Sequence, residues 1–555
     1  MLQRNSNSHL RKIRAFPFHC DREEGQPDLM ASKDSQFDVA IVGAGLAGLT
    51  LALQINQAKS NLSIVVLERN KLPPPVAAHK VGEATVEIGA HYLSHTLGLE
   101  PLLERTQLHK FGLRLFFGSG QHDDLSKADE LGSSKFLPAI SYQLDRGLLE
   151  ADLAKLLDER GVTITANCLA KHIDVGTQGK SHRLQIVRHG QTETVQCRWL
   201  IDASARSGVL KRELGLAKPS EHRMCAAWFR LDSVIDVDEW SDSPDWKDRC
   251  HGLPRRLSTN HFMGSGYWAW IIPLAGNKTS VGLVTDPAIH PLSSFNNFGR
   301  LQDWLASFEP QLAEQVADSK RTLMDFMLLK DLSQDSRKVW SSDRWGLSGE
   351  SGLFADPFYS PGTDFIGISN TFICDLITRD RSQLELGVHA GVYEKMYKSF
   401  YESTMSLYKH QYAGFGDTRL MVVKTTWDYA YYWSILSWLF FREVLTDIVF
   451  IRTIQPQLAK IRALNEDMQA EFRKRADEKR VSPGKGRFFD QSAIPVLADL
   501  NAALLKSPDH LQLEFTENCE RLEGLAPLLL SMLANDQSRA TSADSLLGDL
   551  NHRLG

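Results

Sequence analysis

The feature that most constrains the fold is a glycine-rich turn between an apolar run and a helical segment. Residues 37–42 (FDVAIV) are followed by residues 43–48 (GAGLAG), and residues 49–55 have a helical pattern. A second apolar run, residues 62–67 (LSIVVL), ends at Glu68. A strand, glycine turn, helix, strand and acidic residue within roughly 30 residues is the pattern of a β-α-β unit that binds a dinucleotide.

Each position of this unit has a mechanical role. Gly43 permits the tight turn, Gly45 lets a pyrophosphate approach the backbone, and Gly48 allows close packing of the helix on the strand. The helix N-terminus supplies amide donors, and Glu68 can accept hydrogen bonds from ribose hydroxyls. We therefore predict a Rossmann-type site with these four residues as cofactor ligands.

Two distant segments favour FAD over NAD as the cofactor. Residues 143–147 (QLDRG) and 200–208 (LIDASARSG) resemble segments that close around the adenosine and ribityl parts of FAD in large two-domain flavoproteins. The resemblance makes Arg146 and Asp202 candidate FAD ligands.

A third segment, residues 352–367 (GLFADPFYSPGTDFIG), resembles the loop that lies against the flavin ring and leads a helix N-terminus toward it. Asp356 is the expected ribityl ligand, and Pro357 and Gly362 are counted with it as cofactor-binding residues. Just upstream, the usual Gly-Asp pair reads Gly349-Glu350.

A more specific resemblance lies in residues 266–274 (GYWAWIIPL). This segment matches the W-x-W-x-I-P signature of the flavin-dependent halogenases at Trp268, Trp270, Ile272 and Pro273. Strand alternation puts both indoles on one face, where they can separate the flavin from the substrate.

Two further segments resemble the same family, and together the similarities span roughly residues 37–380. Residues 81–85 (VGEAT) resemble its flavin-covering loop, which makes cofactor-binding candidates of Gly82, Glu83, Ala84 and Thr85. Residues 109–114 (HKFGLR) resemble the strand that carries the family's essential lysine. Lys110 is therefore the candidate catalytic lysine.

The resemblance implies a reaction as well as a fold. FADH2 from a separate flavin reductase reacts with O2 to give a flavin hydroperoxide, which converts chloride or bromide to hypohalous acid. Lys110 then directs the halogen to an electron-rich aromatic ring, by a hydrogen bond or as a chloramine. A chloramine requires the neutral amine, whereas a free lysine has a pKa of about 10.4. Arg114, expected on the same strand face, is our candidate for lowering the pKa of Lys110.

The sequence departs from the family at two functional positions. Tyr359 stands where tryptophan halogenases carry a glutamate that assists the lysine, which favours a phenolic, pyrrolic or other electron-rich ring over tryptophan. We retain Tyr359 as a catalytic candidate, and the groups that can accept the ring proton are Glu83, Asp364 and Tyr359.

The second departure concerns the halide, which the family is expected to hold on two consecutive amides after the loop serine. The first of these positions is Pro361, which has no N–H group to donate. Gly362 and Thr363 therefore remain as the predicted halide ligands, and Pro361 is the strongest sequence argument against halogenation.

The expected fold class is α/β, with a Rossmann-type FAD-binding domain similar to that of p-hydroxybenzoate hydroxylase. We expect this domain to be interleaved with an antiparallel substrate sheet and followed by a helical C-terminal region. The predicted divisions are a disordered extension at 1–35, the FAD-binding domain at 36–385 with its sheet at about 215–295, a helical aromatic-rich region at 386–480, and a linker with C-terminal helices at 481–555.

Composition excludes several other classes of protein. The net charge of −5 gives no reason to expect nucleic acid as a partner. Seven scattered cysteines without a C-x-x-C pair argue against a zinc site or disulfides and suit the cytoplasm. The most apolar stretch, residues 429–441, is too short to span a membrane and is read as a buried or pocket-lining helix, or as one lying on a membrane surface.

Two alternative functions remain open at this stage. The first is an FAD-dependent monooxygenase or reductase of an aromatic or isoprenoid substrate, and the second is a non-catalytic flavoprotein that binds a partner through its C-terminal helices. A separate reductase is expected because the chain has no second nucleotide-binding glycine motif. The basic stretch 473–487 is interpreted as a solvated helix end and linker, or as a docking site for a carrier protein that presents the substrate.

Overall fold

The computed structural model describes residues 34–75, 82–118, 122–318, 320–478, 480, 484–507 and 509–534. The predicted disorder of residues 1–35 falls almost wholly outside these ranges. Val81, the first residue of the expected flavin-covering loop, also lies outside them.

The strands of the described residues form two large sheets and two small ribbons. In chain order they are β1 (Asp34–Val42), β2 (Ile64–Leu67), β3 (Leu108–His109), β4 (Leu113–Phe117), β5 (Asp129–Gly132), β6 (Tyr142–Gln143), β7 (Thr163–Thr165), β8 (Cys168–Asp174), β9 (His182–Arg188), β10 (Gln191–Asp202), β11 (Ala217–Lys218), β12 (Cys225–Leu231), β13 (Thr259–Gly264), β14 (Tyr267–Leu274), β15 (Lys278–Thr285), β16 (Leu323–Leu329), β17 (Asp335–Ser336), β18 (Trp340–Ser341), β19 (Trp345–Leu347) and β20 (Phe488–Asp490).

The α-helices cover both sheets and build most of the C-terminal part. They are α1 (Leu46–Ala58), α2 (Glu87–His91), α3 (Glu100–Thr106), α4 (Arg146–Glu159), α5 (Val209–Glu213), α6 (Pro244–Asp248), α7 (Phe298–Phe308), α8 (Pro310–Ala317), α9 (Gly362–Arg381), α10 (Gly387–Ser406), α11 (Thr418–Tyr431), α12 (Trp438–Phe441), α13 (Ile448–Ala476), α14 (Pro495–Ala503) and α15 (Leu511–Ala534).

The first large sheet is the nucleotide-binding layer that the glycine turn predicted. Its strand order is β18-β19-β10-β1-β2-β7, and β1 pairs in parallel with β2 and β10. The antiparallel pair β8–β9 extends from β10. Helix α1 is the crossover between β1 and β2, so its N-terminus lies at the carboxyl end of the sheet, where nucleotides bind in such folds.

The second large sheet is mostly antiparallel, with the order β16-β12-β15-β14-β13-β4-β5-β20. It extends beyond the stretch 215–295 on which it was expected. β4 and β5 come from the earlier chain, and β20 comes from the region after residue 480. Because β20 pairs with β5, part of the C-terminal region is integrated into this sheet rather than forming a separate unit.

The helical C-terminal part packs against α9 and the second sheet. α11 continues through a π-helical stretch, Tyr432–Ser437, into α12, so residues 429–441 form one mostly buried helical segment. No helix among the described residues combines the length and the hydropathy that crossing a bilayer requires. The mixed α/β fold with a nucleotide layer, a substrate sheet and C-terminal helices confirms the predicted fold class.

Candidate active site

The glycine turn has the geometry that its three roles require. Gly43 has φ +111°, and a Cβ there would lie 2.5 Å from the carbonyl oxygen of Ala203. A Cβ on Gly48 would lie 2.0 Å from the carbonyl oxygen of Gly43, so the helix packs too closely for any side chain. A Cβ on Gly45 would meet nothing within 4 Å, which leaves room for a phosphate at the N-terminus of α1.

Glu68 and Arg146 lie beside this turn. The Glu68 carboxylate accepts a hydrogen bond from the Ala44 amide at 2.9 Å. Arg146 donates to the Gly82 carbonyl at 3.2 Å and pairs with Glu150 at 2.7 Å. Glu150 in turn accepts from the Leu46 amide at 3.0 Å. Three segments that are far apart in sequence therefore meet around the first turn of α1.

A cleft leads from the carboxyl end of the first sheet to the face of the second. It brings together nine of the residues singled out from the sequence, namely Gly82, Glu83, Ala84, Arg146, Trp268, Trp270, Pro357, Gly362 and Thr363. The open space at Gly45, the acid at Glu68 and this lining fit the dinucleotide and the ring of an FAD molecule.

The two tryptophans of β14 share one face of their strand, as alternation predicted. Their ring centroids are 5.5 Å apart, with planes inclined by 38°. Trp270 faces Gly282 on the neighbouring strand, where a Cβ would lie 2.1 Å from the indole. The Trp268 indole donates to the Tyr412 hydroxyl at 3.0 Å. Both rings are thus fixed as a wall of the cleft.

Asp356 and Asp202 do not line this cleft. Asp356 is fully buried, where it contacts His222 at 2.6 Å and accepts from the Tyr412 hydroxyl at 2.8 Å. The Asp202 carboxylate accepts from the amides of Ser204 and Leu210 and thereby holds its own loop. The expectation that Asp356 is the ribityl ligand is corrected, since its carboxylate is engaged inside the fold.

Glu350 lines the cleft in place of Asp356. Its position in the Gly349-Glu350 pair was noted in the sequence as a departure and not as a ligand. A glutamate there keeps the carboxylate that the usual aspartate provides, one methylene further from the backbone. The signal that identifies it is its place two residues before the 352–367 segment.

Lys110 is buried, and its ammonium group donates to the backbone carbonyl of Thr85 at 2.7 Å. Thr85 separates Gly82 to Ala84, which line the cleft, from Val86 and Glu87, which line a second cavity. The lysine is therefore anchored at the segment that divides the two spaces.

The second cavity, which we call the helical cavity, has a volume of about 600 Å³. Ser360, Gly362 and Thr363 line the cleft, whereas Tyr359, Pro361 and Asp364 line the helical cavity, so this loop also separates the two. Tyr359 and Ser360 have φ of +67° and +60°. Such strain in non-glycine residues clusters at ligand sites.

Two buried carboxyl groups surround Lys110 at the inner end of the helical cavity. Asp364 accepts from the Gly89 amide at 2.8 Å and from the Tyr432 hydroxyl at 2.7 Å. Desolvation raises the pKa of Asp364 to about 8 and also raises the pKa of Glu87. Desolvation lowers the pKa of Lys110 to about 7, although the carboxyl groups of Glu87 and Asp364 oppose this shift.

Arg114 does not act on Lys110, which corrects the sequence expectation. Gly112 has φ +69° and interrupts the extended chain between β3 and β4, so strand alternation does not hold from residue 110 to residue 114. Arg114 is instead buried against Glu130 and donates to the Ser133 carbonyl at 2.7 Å. The low pKa of Lys110 is caused by burial.

The other two candidate bases have fixed partners. Glu83 lies on the cleft side and forms a 2.7 Å ion pair with Arg230. Tyr359 donates to Asp428 at 3.0 Å, which pairs with Lys424 at 2.8 Å. Of the three groups proposed from the sequence, Asp364 is the one that both lines the helical cavity and influences the pKa of the lysine.

The start of α9 contains the predicted halide residues. Pro361 is the N-cap, and Gly362 and Thr363 open the helix, where amide groups have no carbonyl partner in the preceding turn. Both residues line the cleft next to the tryptophan wall. The two amides therefore lie on the loop that separates the cleft from the helical cavity.

Two side chains of the basic stretch 473–487 form ion pairs within their own helix. Lys474 and Arg475 lie 3.6 and 3.7 Å from Glu471, and α13 continues to Ala476. Ser482 and Pro483 lie outside the described residues. These contacts agree with the interpretation as a solvated helix end.

Comparison with known proteins adds independent information. A family profile described as an FAD binding domain matches residues 36–256. A flavin-dependent halogenase of Dictyostelium discoideum is 23% identical over 72% of this chain and 70% of its own length. A tetracycline 7-halogenase of Kitasatospora aureofaciens is 25% identical over 62% of each chain. A chlorinase of Pseudomonas fluorescens that acts on 1H-pyrrole-2-carbonyl groups of a peptidyl-carrier protein is 23% identical over 68% of this chain and 84% of its own.

The fold has solved counterparts as well. The structure of a mutant of the halogenase PltM in complex with FAD superimposes with a TM-score of 0.62 and 18% identity, covering 90% of this chain and 96% of that one. The profile and the cleft together define an FAD-dependent oxidoreductase. Within that class, the relatives to which the chain is similar include several flavin-dependent halogenases, at 23–25% identity.

Proposed function

We propose that this protein is a halogenase that uses FADH2 and O2 to place chloride or bromide on an electron-rich aromatic ring. The observation that carries the proposal is the position of Lys110. Its amine is buried against the segment that separates the cleft from the helical cavity.

The residues of the cleft would hold the cofactor. Gly43, Gly45 and Gly48 form the phosphate turn, Glu68 accepts from the ribose, and Arg146 lies beside the turn. Gly82 to Ala84, the tryptophan pair, Glu350 and Pro357 enclose the ring end. Bound and reduced FAD supplies the electrons with which O2 and halide give hypohalous acid.

Lys110 and Asp364 divide the proton chemistry of the halogen transfer. Lys110 donates a proton to the oxygen of hypohalous acid as the oxygen–halogen bond breaks and the ring π electrons form the carbon–halogen bond. Asp364 then accepts the proton from the halogenated carbon, and return of that proton to Lys110 restores both groups. The net change is hypohalous acid plus arene giving haloarene plus water.

The halide is held at the start of α9 by the amides of Gly362 and Thr363. Partial positive charge at a helix N-terminus favours an anion there. Tyr359 in this proposal is a wall of the helical cavity, since its hydroxyl is committed to Asp428.

The partners in this proposal are a flavin reductase and a small aromatic substrate. A relative acts on a group tethered to a carrier protein, so a tethered substrate is tested beside the free one. Reversing the charges of Arg473, Lys474 and Arg475 raises KM sharply if the carrier docks there and leaves KM unchanged for a free substrate.

The test supplies the FAD-loaded protein with a flavin reductase, NADH, O2 and bromide, and a panel of phenols, indoles and pyrroles. Mass spectrometry detects brominated product by its paired isotope pattern. Brominated product that is lost in Lys110→Ala supports the proposal. The control is Lys460→Ala, which removes an exposed lysine of α13 that lines neither the cleft nor the helical cavity.

An FAD-dependent monooxygenase is the second candidate, and Pro361 is the observation that favours it. The proline removes one of two amide donors that the family uses for halide. Oxygenated product that forms without halide, at equal rate in Lys110→Ala, would establish this alternative.

A further inference from the structure

The helical cavity is divided into two chemically different parts. Its inner end contains the carboxyl groups of Glu87 and Asp364 and the hydroxyl groups of Tyr359 and Tyr432. Its middle is apolar and is walled by Met396, Phe400, Leu407, Ile435, Leu436 and Leu458. A ligand that fills the cavity therefore needs a polar head at one end and an apolar body behind it.

The cavity opens to solvent between α10 and α13. Lys395 on α10 and Gln455, Ala459, Ala463 and Glu466 on α13 line it and are exposed. A molecule whose ring is at Asp364 therefore has its substituents directed along the apolar middle toward this opening. A single unsubstituted ring would leave most of the apolar wall in contact with water, which is unfavourable.

We propose that the substrate is an amphipathic phenol, a hydroxylated ring carrying an alkyl or acyl chain, with its hydroxyl at Glu87 and Asp364 and its chain between α10 and α13. The inference rests on the proposed function for the identity of the reacting ring, and on the cavity alone for the shape and polarity of the ligand.

The inner end suits a phenol better than a pyrrole or an indole. A phenol both donates and accepts a hydrogen bond. The carboxyl groups of Glu87 and Asp364 line this end, and their raised pKa values mean that one can accept from the phenol hydroxyl while the other, protonated, donates to its oxygen. A carboxylate has lone pairs beyond the two that Gly89 and Tyr432 occupy on Asp364, so it can accept from a ligand hydroxyl as well. An electron-rich oxygen on the ring also activates the carbons beside and opposite it toward a halogen electrophile.

The chain length of the ligand gives a direct test that does not require turnover. Binding of resorcinol, 4-hexylresorcinol and hexylbenzene to the oxidised, FAD-loaded protein is measured by calorimetry without halide or reductant. Each buried methylene tightens binding about fourfold. If three or more methylenes are buried, 4-hexylresorcinol binds at least about 50-fold more tightly than resorcinol. Hexylbenzene, which lacks the hydroxyls, should bind at least about tenfold more weakly than 4-hexylresorcinol.

A matched pair of variants tests where the alkyl chain of the ligand lies. Ala463→Trp fills the outer part of the cavity from an exposed position of α13, and Ala470→Trp makes the same change two turns further along, outside the cavity lining. We expect Ala463→Trp to weaken the binding of 4-hexylresorcinol at least about tenfold and to leave the binding of resorcinol unchanged. Ala470→Trp should change the affinity for neither ligand.

Equal affinity for resorcinol and 4-hexylresorcinol would overturn the inference, and so would tight binding that neither variant alters. If affinity depends on the alkyl chain of the ligand but the protein gives no halogenated product, the proposed function is overturned and the proposed class of ligand is retained. The two failures are therefore distinguishable.

Discussion

Lys110 donates a hydrogen bond from its side chain to the backbone carbonyl of Thr85, across 2.7 Å. This contact joins two sequence segments that resemble the halogenases separately, the flavin-covering loop and the lysine strand. Because Thr85 lies between the lining of the cleft and that of the helical cavity, the same contact fixes the amine at the boundary between the two spaces.

Replacing Lys110 by methionine should abolish activity and stabilise the fold. We expect halogenation to fall by roughly 100- to 1,000-fold. The folded pKa of about 7 lies below the value of 10.5 in the unfolded chain, so the lysine disfavours folding at pH 8, where the unfolded chain binds a proton that the folded one does not.

This destabilisation decreases as the pH rises from about 7 toward 10.5. Thermal unfolding of the two proteins at pH 8 and pH 10 measures it, and the gain in Tm of Lys110→Met should shrink at the higher pH. A loss of Tm in the variant at pH 8 would show that the lysine stabilises the fold and contradict its assignment.

Asp364→Asn should remove the catalytic base and leave the fold intact. General acid–base catalysis contributes about 100- to 10,000-fold, so kcat should fall within that range. The pKa of Asp364 is raised to about 8, so the carboxylate that accepts the ring proton forms as the pH rises through about 8. Lys110 must carry its proton to donate it, and its pKa is about 7, so the wild-type rate should rise toward pH 7, level off between about pH 7 and 8 and fall at higher pH. The variant should lack the rising limb.

The control for this change is Asp375→Asn, on the same helix. Its carboxylate accepts from Tyr393 at 2.6 Å, and Asp375 is not among the residues that line the helical cavity. A variant Asp364→Asn with unchanged kcat, or a drop of equal size in the control, would exclude Asp364 as the base.

Gly45→Leu should eliminate FAD binding while the apoprotein still folds. The φ of −83° at Gly45 is open to any residue, and its Cβ would meet no atom, so the leucine occupies only the space where a phosphate approaches α1. We expect the Kd for FAD to rise at least about 100-fold, or ~2.7 kcal/mol, by flavin fluorescence titration. Gly391→Leu, at an equally open position of α10, should bind FAD normally.

The nucleotide layer and the tryptophan wall were predictable from sequence because they depend on local rules. Glycine positions in a strand–turn–helix unit and alternation along β14 are set by backbone geometry within a few residues. The influence expected of Arg114 failed because Gly112 breaks the strand. A glycine permits a positive φ but does not require it, so the residues 109–114 are equally compatible with a continuous strand. The grouping of Glu87 and Asp364 around Lys110 depends on contacts between distant parts of the chain, as in the bond between Gly89 and Asp364, which are 275 positions apart.

Replacing Asp356 should lower the stability of the fold, whereas replacing Glu350 should lower the affinity for FAD. Asp356→Ala leaves His222 and Tyr412 without their buried acceptor, and should cost about 1–3 kcal/mol of unfolding free energy. Glu350→Gln should leave Tm unchanged and weaken FAD binding. Denaturant unfolding and flavin titration of both variants measure this, and a selective loss of FAD affinity in Asp356→Ala would restore the original assignment.

Pro361→Ser should strengthen halide binding if the halide lies at the start of α9. Pro361 has φ −76° and ψ −3°, a conformation open to serine, so the change adds one N–H donor beside Gly362 and Thr363 without backbone strain. One added hydrogen bond to an anion contributes about 1.5–3 kcal/mol, so the KM for bromide should fall by roughly 10- to 150-fold. The measurement is the bromide dependence of product formation, with the FAD affinity of the variant as the control for loop geometry. An unchanged bromide KM with normal FAD binding would show that these amides do not hold the halide, and would strengthen the monooxygenase alternative.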